Sequence, residues 1–339
     1  MPRRFCSSPH VIAAIALCAI AWTGLTFCQN DAAADGKPAE AAASFAKILD
    51  AHNRESLRAV ADYVAKNPKA DDAEQAYRWA FVTATNYELE PELLAFAEDY
   101  LKRDAEGQAS RGLAHRVLGV GLAKSGKLQD AMAAFQANLQ TADVRDPSDS
   151  LEFGVMLAEH SQLHGDFAAT KEIYNSLLSR LFLNGFVREF CEFRLNHLEL
   201  AKKPAPPVGT SDLDGKAIDL ADYKGKVVLV EFWGTDCEPC IEQLPALKQL
   251  YEEYHDKGFD VVGISLDEQR EFVDEFQKAW KLPWRLSLSV TDRDETRLRY
   301  RADKIPTTYL VDQRGEIAYV DLRDSQLRKA VEKLLGVGK

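Results

Sequence analysis

Two kinds of hydrophobic pattern divide the chain. Over residues 41–201 apolar positions recur every three or four residues in an alanine- and leucine-rich background with few β-branched runs, which predicts helices throughout. Beyond residue 210 short continuous apolar runs take over, at 226–233, 259–265, 285–290, 307–311 and 317–320, and these predict strands. Amphipathic stretches at 238–257, 271–280, around 296–300 and 326–335 predict the helices between them. That order is an α/β fold, a mixed sheet with helices on both faces, following an all-α region. Lys202-Lys203-Pro204-Ala205-Pro206-Pro207-Val208-Gly209 separates the halves; its prolines remove donors and disfavour helix, so 202–210 reads as a linker between domains at 41–201 and 211–337. Just after it, Asp214-Gly215 suits a hairpin turn.

The helical half repeats itself. Residues 118–135 resemble a tetratricopeptide repeat, with Gly119 where paired helices touch, Gly126 at the turn, and Ala131 and Phe135 on the second helix. Ala158, Gly165, Thr170 and Tyr174 follow at a constant offset of about 39 residues, and 73–101 reads as an earlier hairpin. Stacked hairpins leave a concave face, so the array is a candidate surface for a protein partner; a spacer or a dimerisation surface is the plainer reading. His160 and His164, four apart on one helix, could ligate a metal, but no third ligand is evident, and ordinary packed or solvated histidines are the better expectation.

Composition narrows the partners. A net charge of -11 opposes nucleic acid and anionic membrane surfaces. At the N-terminus, Arg3 and Arg4 precede an uncharged apolar run over 11–28 and then small residues, the layout of an export signal within residues 1–35. Three fates are open: cleavage at Ala32-x-Ala34, retention as a membrane anchor, and lipoprotein processing at Cys28, where bulky Phe27 is out of pattern. Export to the cell envelope is the expectation in each. Cys6, Cys18 and Cys28 belong to this leader, and Cys191, between Phe190 and Phe193 in a helical pattern, reads as a buried, inert thiol.

One cysteine pair remains, in Phe232-Trp233-Gly234-Thr235-Asp236-Cys237-Glu238-Pro239-Cys240, where a predicted strand gives way to a predicted helix. At a helix start the backbone N–H groups and the macrodipole favour a thiolate on Cys237, and Cys240, one turn on, is placed to resolve a mixed disulfide. A zinc half-site lacks its second ligand pair, haem attachment would need His where Ile241 stands, and a peroxidatic cysteine would have Thr where Gly234 stands. A passive loop staple is the remaining bland reading. No metal or cofactor is called for.

With its strand, redox motif and helix in that order, 204–337 resembles the thioredoxin fold, and more closely the exported TlpA/ResA-type thiol-disulfide oxidoreductases. The residues that carry the resemblance are Leu220-Ala221-Asp222-Tyr223-Lys224-Gly225-Lys226, the redox motif, Pro245, and Lys304-Ile305-Pro306-Thr307-Thr308, together with the insertion over 265–290. The resemblance implies a cis Pro306 facing the disulfide, Ile305 offering backbone groups to an extended substrate, and Trp233, Glu238 and Pro239 lining the same surface. It also implies that Glu231, six residues before Cys237, is a buried acid that moves the proton of Cys240. Two departures stand out: Asp236, with Glu238, puts two carboxylates beside Cys237, and Gln243 replaces a Glu that many members carry, neighbouring Glu242 being on another helix face. The expected activity is reduction of protein disulfides, with a membrane electron donor; the alternative is an interaction scaffold whose helical repeats do the work.

Overall fold

The computed structural model describes residues 38–103, 109–289 and 295–337. The leader, residues 1–35, lies outside the described residues, as does Val290 at the end of the third predicted strand. Among the described residues no helix is long and apolar enough to cross a membrane. The chain divides at Asp50 into two units. Of the first, the described part is the opening of α1 (Pro38–Lys66), and the rest of the chain forms the second.

Seven more helices follow: α2 (Ala73–Asn86), α3 (Leu94–Lys102), α4 (Arg111–Lys124), α5 (Leu128–Gln140), α6 (Ser148–Leu163), α7 (Phe167–Leu181) and α8 (Gly185–Leu198). The 39-residue spacing seen in sequence reappears as backbone geometry. Gly126 and Gly165 end α4 and α6 with φ of +78° and +80°. In each turn the glycine N–H donates three residues back, to Ala123 and Gln162, and the next N–H donates to Leu122 and Ser161. Gly119 is needed for a different reason, since a Cβ there would come within 2.3 Å of the Phe153 ring on α6.

The second half is a five-stranded sheet in the order β3-β2-β1-β4-β5, formed by β1 (Val227–Trp233), β2 (Phe259–Ser265), β3 (Arg285–Leu288), β4 (Thr307–Val311) and β5 (Ile317–Val320). β1 runs parallel to β2 and antiparallel to β4, and β5 is antiparallel to β4. This is the thioredoxin topology, and it explains why β1 is apolar without alternation: as the central strand it is buried at all seven positions. Its odd-numbered face, Val227, Leu229 and Trp233, packs under α9 (Glu238–Tyr254) and α12 (Asp324–Leu335), with α10 (Arg270–Trp280) at the Trp233 end. Its even-numbered face, Val228, Val230 and Phe232, shares one continuous core with the helical array and with Tyr300, which follows α11 (Glu295–Arg299). On α9 the buried set is Cys240, Leu244, Leu247, Leu250, Tyr251 and Tyr254, and Ile241 is half-buried.

The proline-rich stretch joins the two halves by more than connectivity. Lys202 N–H donates to Ile317 O, Ile317 N–H to Lys203 O, and Ala205 N–H to Gly315 O, so this segment covers the start of the exposed edge of β5. Gln162 of α6 covers its end: its side-chain amide donates to Val320 O and accepts from Val320 N–H, both at 3.0 Å, as a paired strand would. At the end of β5 the buried carboxylate of Asp321 lies 3.1 Å from Arg194 Nη1 and 2.9 Å from His197 Nδ1, both on α8, and accepts from Thr308 N–H at 3.2 Å. Burial alone would raise its pKa, but Arg194 and His197 overcome this and hold it well below the usual carboxylate range.

Asp321→Asn leaves Arg194 buried without its counter-charge and should lower stability by about 3–5 kcal/mol in urea unfolding at pH 7. A carboxyl with a depressed folded pKa stabilises above its unfolded value, about 3.9, and loses that contribution as pH falls. The deficit of the variant should therefore shrink as the titration goes below about pH 4; a deficit independent of pH would contradict the assignment.

Candidate active site

Cys237 ends the loop after β1 and caps α9. Its Sγ accepts from the Cys240 N–H at 3.3 Å, and Pro239 fills the second helical position, where a missing N–H costs nothing. The two cysteines are joined as a disulfide, with Cα atoms 5.2 Å apart. Cys237 is 8% exposed and Cys240 fully buried, so only the first sulfur is open to an incoming disulfide. Asp236, Glu238 and Pro239 are exposed around it. The two carboxylates oppose the effect of the helix dipole on that sulfur.

The loop is held from two sides. Thr235 donates to Asp267 through both its N–H and its hydroxyl, and Asp267 in turn accepts from the Ser265 hydroxyl at the end of β2. Opposite stands the cis Ile305–Pro306 bond expected from sequence. Pro306 is buried and Ile305 half-buried, and Ile305 Cδ1 presses so near Gly234 that a Cβ there would lie 2.9 Å away. The backbone N–H and C=O of Ile305 bond to no described residue, which leaves them free for an extended chain. Thr308, two residues after Pro306, is the donor to Asp321, so the proline loop is anchored to the array contact.

Glu231 is 2% exposed on β1, between Gly263 and Thr308 of the flanking strands, and accepts no hydrogen bond from a described residue. Burial pushes its pKa up to about 7, against a smaller opposing pull from Arg323. Its carboxyl lines a cavity of about 280 Å³ between α9 and α12, with Gln243, Thr308, Asp324, Ser325 and Arg328 among the walls. Gln243 lies three residues after Cys240, so the cavity reaches to about one helical turn from the buried sulfur. A second cavity of about 300 Å³ shares Asp324 and Ser325 with the first and continues to Glu159 and His160 of the array.

Trp233 corrects the sequence expectation. At 1% exposure, with its ring 5.1 Å from Phe276 of α10, it forms the floor under the redox loop and cannot touch a substrate. Both faces of β1 are covered, and strand alternation puts Trp233 on the one beneath α9 and α10, with Leu229 and Glu231. Cys191 is fully buried and its thiol is pushed up to about 12 by burial, as an inert cysteine should be. His160 is buried, and burial lowers it to about 4, while His164 Nε2 lies 3.2 Å from the Ala123 carbonyl. Among the described residues no group of three His, Cys, Asp or Glu side chains is placed to hold a metal. Asp267, Asp321 and Arg323 were not singled out by the sequence reading; each is an isolated charge in a loop or at an element end, and only the fold shows what it faces.

The AhpC/TSA family matches residues 201–320. The thiol-disulfide oxidoreductase ResA of Bacillus thuringiensis subsp. konkukian is 32% identical over 133 residues, which is 39% of this chain and 75% of that protein. ResA of Bacillus subtilis is 34% identical over 116 residues, 34% of this chain and 64% of that one. Among solved structures, the thioredoxin domain of a thiol-disulfide oxidoreductase from Bacteroides vulgatus is 33% identical, covering 40% of this chain and 97% of that chain with a TM-score of 0.38. With that share of a ResA protein matched, the chain belongs to the ResA-type thiol-disulfide oxidoreductases.

Proposed function

We propose that the protein is an exported reductant of protein disulfides, working through Cys237 and Cys240 and drawing electrons from a membrane partner. The observation that carries the reading is the asymmetry of the pair: an open Cys237 at a helix start, a buried Cys240 behind it, and a cis-proline loop with free backbone groups opposite. In the dithiol form the Cys237 thiolate attacks a substrate disulfide, one substrate sulfur leaves as a thiolate, and a mixed disulfide forms. Cys240 then loses its proton to Glu231 and attacks Cys237 Sγ. The second substrate thiolate leaves, the substrate has gained two electrons, and the enzyme is left as the disulfide. A dithiol donor in the membrane returns it to the reduced form.

Ile305 and Pro306 pair with the substrate backbone, while Glu238 and Pro239 border the nucleophile. The export-signal layout of residues 1–35 supports a place in the cell envelope, and the helical array supports a partner-binding role. A passive scaffold is disfavoured by the buried acid, because an unpaired carboxyl inside a sheet costs stability and is retained most readily where it works.

Cys237→Ser should abolish insulin reduction, and Cys240→Ser in the native host should accumulate mixed disulfides through Cys237, separable by diagonal electrophoresis; turnover by both variants at the wild-type rate would end the reading. Fused to a reporter that folds only outside the cytoplasm, the first 35 residues should confer activity. A silent fusion would argue against export.

Glu231→Gln should cut the resolution step at pH 7 by about 10-fold or more and remove the rise in rate through about pH 7 seen with the wild type. Stability should move the other way. A carboxyl whose folded pKa is raised from 4.5 to about 7 stabilises fully below the unfolded value and loses this as pH rises. The glutamine variant of the oxidised protein should therefore gain about 3 kcal/mol over wild type at pH 8 and little at pH 5. Urea titrations at the two pH values with the same difference would mean that Glu231 does not ionise in this range.

A further inference from the structure

Helix α8 carries an aromatic stripe that the redox chemistry does not explain. Phe182, Leu183 and Phe186, at the α7–α8 corner, are 56%, 72% and 67% exposed. Phe186 stacks on Phe190 with ring centroids 6.2 Å apart, and Phe193 continues the same helical face. Exposed aromatics grouped in this way mark a contact surface, because leaving them in water forgoes the gain of burying them.

The position of the stripe indicates its occupant. Asn196, near the end of α8, accepts from Arg301 Nη1 at 2.7 Å, and Glu189, seven residues earlier, is ion-paired with Lys304. Seven helical residues rise about 10 Å, so Arg301 meets the end of α8 while Lys304 meets it about two turns nearer its start. The segment leading into cis Ile305–Pro306 therefore runs antiparallel to α8. Phe186 lies one turn, about 4.5 Å, beyond Glu189 in the same direction. The segment that leads to Ile305 thus runs along α8 toward the stripe. Around Cys237 the exposed charges are acidic, and the whole chain carries -11, so attraction of anionic substrates cannot supply affinity.

We propose that the Phe182–Phe186 stripe is a second subsite of the redox centre, which holds aromatic or aliphatic side chains flanking the cystine of an extended, unfolded polypeptide. This rests on the protein-disulfide reductase reading and deepens it: the helical array makes the enzyme selective for unfolded chains over small disulfides. The backbone near the cystine pairs with Ile305, and an apolar residue flanking the cystine seats on Phe186.

The test uses the full chain, reduced and freed of reductant, as wild type and as Phe182→Ser/Phe186→Ser. Single-turnover rates are measured with bis(2-hydroxyethyl) disulfide and with two disulfide-bearing peptides of the same length, one with phenylalanine and leucine flanking the cysteine and one with serine there. In wild type the apolar peptide should react faster than the serine peptide, and in the variant the ratio of apolar-peptide rate to small-disulfide rate should fall about 10-fold, the scale expected when an apolar side chain loses its contact. An unchanged ratio overturns the subsite, and so does a variant whose only change is its oligomeric state in sedimentation, which would make the stripe a self-association surface. A wild type that reduces none of the three substrates overturns the reductase reading itself, and the subsite with it.

Discussion

Asp321 is the point on which the two halves of the molecule depend. A carboxylate at the end of an edge strand would ordinarily face water, yet here it is buried between Arg194 and His197 of the array and the Thr308 N–H of the sheet. Removing any partner leaves a charge or a donor unsatisfied where water cannot reach it, so the three elements are fixed together. Thr308 is two residues from Pro306, and His197 Nε2 faces the Arg301 carbonyl at 2.9 Å, so this one contact holds the proline loop from both ends. The cis-proline loop of the redox domain is thus positioned by the helical array as much as by its own sheet.

The same helices bear on the acid. Glu231 owes its raised pKa to burial beneath α9 and α12, and the residue opposing that shift, Arg323, stands at the start of α12 next to the Asp321 contact. Arg323 also interacts with Glu159 and Arg194 of the array. A helical array fixed at Asp321 therefore contributes to the electrostatics around Glu231 as well as to the position of the proline loop. Gln243 lines the same cavity and leaves Asp324 as the carboxyl that shares it with Glu231.

Much of this was legible in the sequence because it rests on local chemistry. The strand–C-x-x-C–helix order, the glycines at 126 and 165 and the apolar runs of β1 and β2 each determine structure within a few residues. Pro306 was legible through resemblance, since nothing local distinguishes a cis from a trans X-Pro bond. Trp233 was misread for a physical reason: an aromatic beside a redox motif looks like a substrate contact until the pleat of β1 shows which way it faces. Gln162, Asp267 and Asp321 could not be read at all. Their partners are 158, 32 and 124 residues away, and a glutamine that completes a strand edge looks like any other glutamine on a helix.

A rigid junction also changes what an attached array can do for catalysis. A flexible tether would offer the substrate a second binding surface at some average distance, and every docking event would have to order the linker. Here the proline-rich stretch is hydrogen-bonded along β5, and Gln162 and Asp321 close the rest of that edge, so the distance from α8 to Cys237 is set before any substrate arrives. A substrate contact on α8 would then add to one at Ile305 without a new ordering cost, which is the condition under which a remote contact strengthens a reaction at a distant sulfur. For an enzyme whose nucleophile is bordered by two carboxylates rather than by cations, affinity gained away from the sulfur is the available compensation.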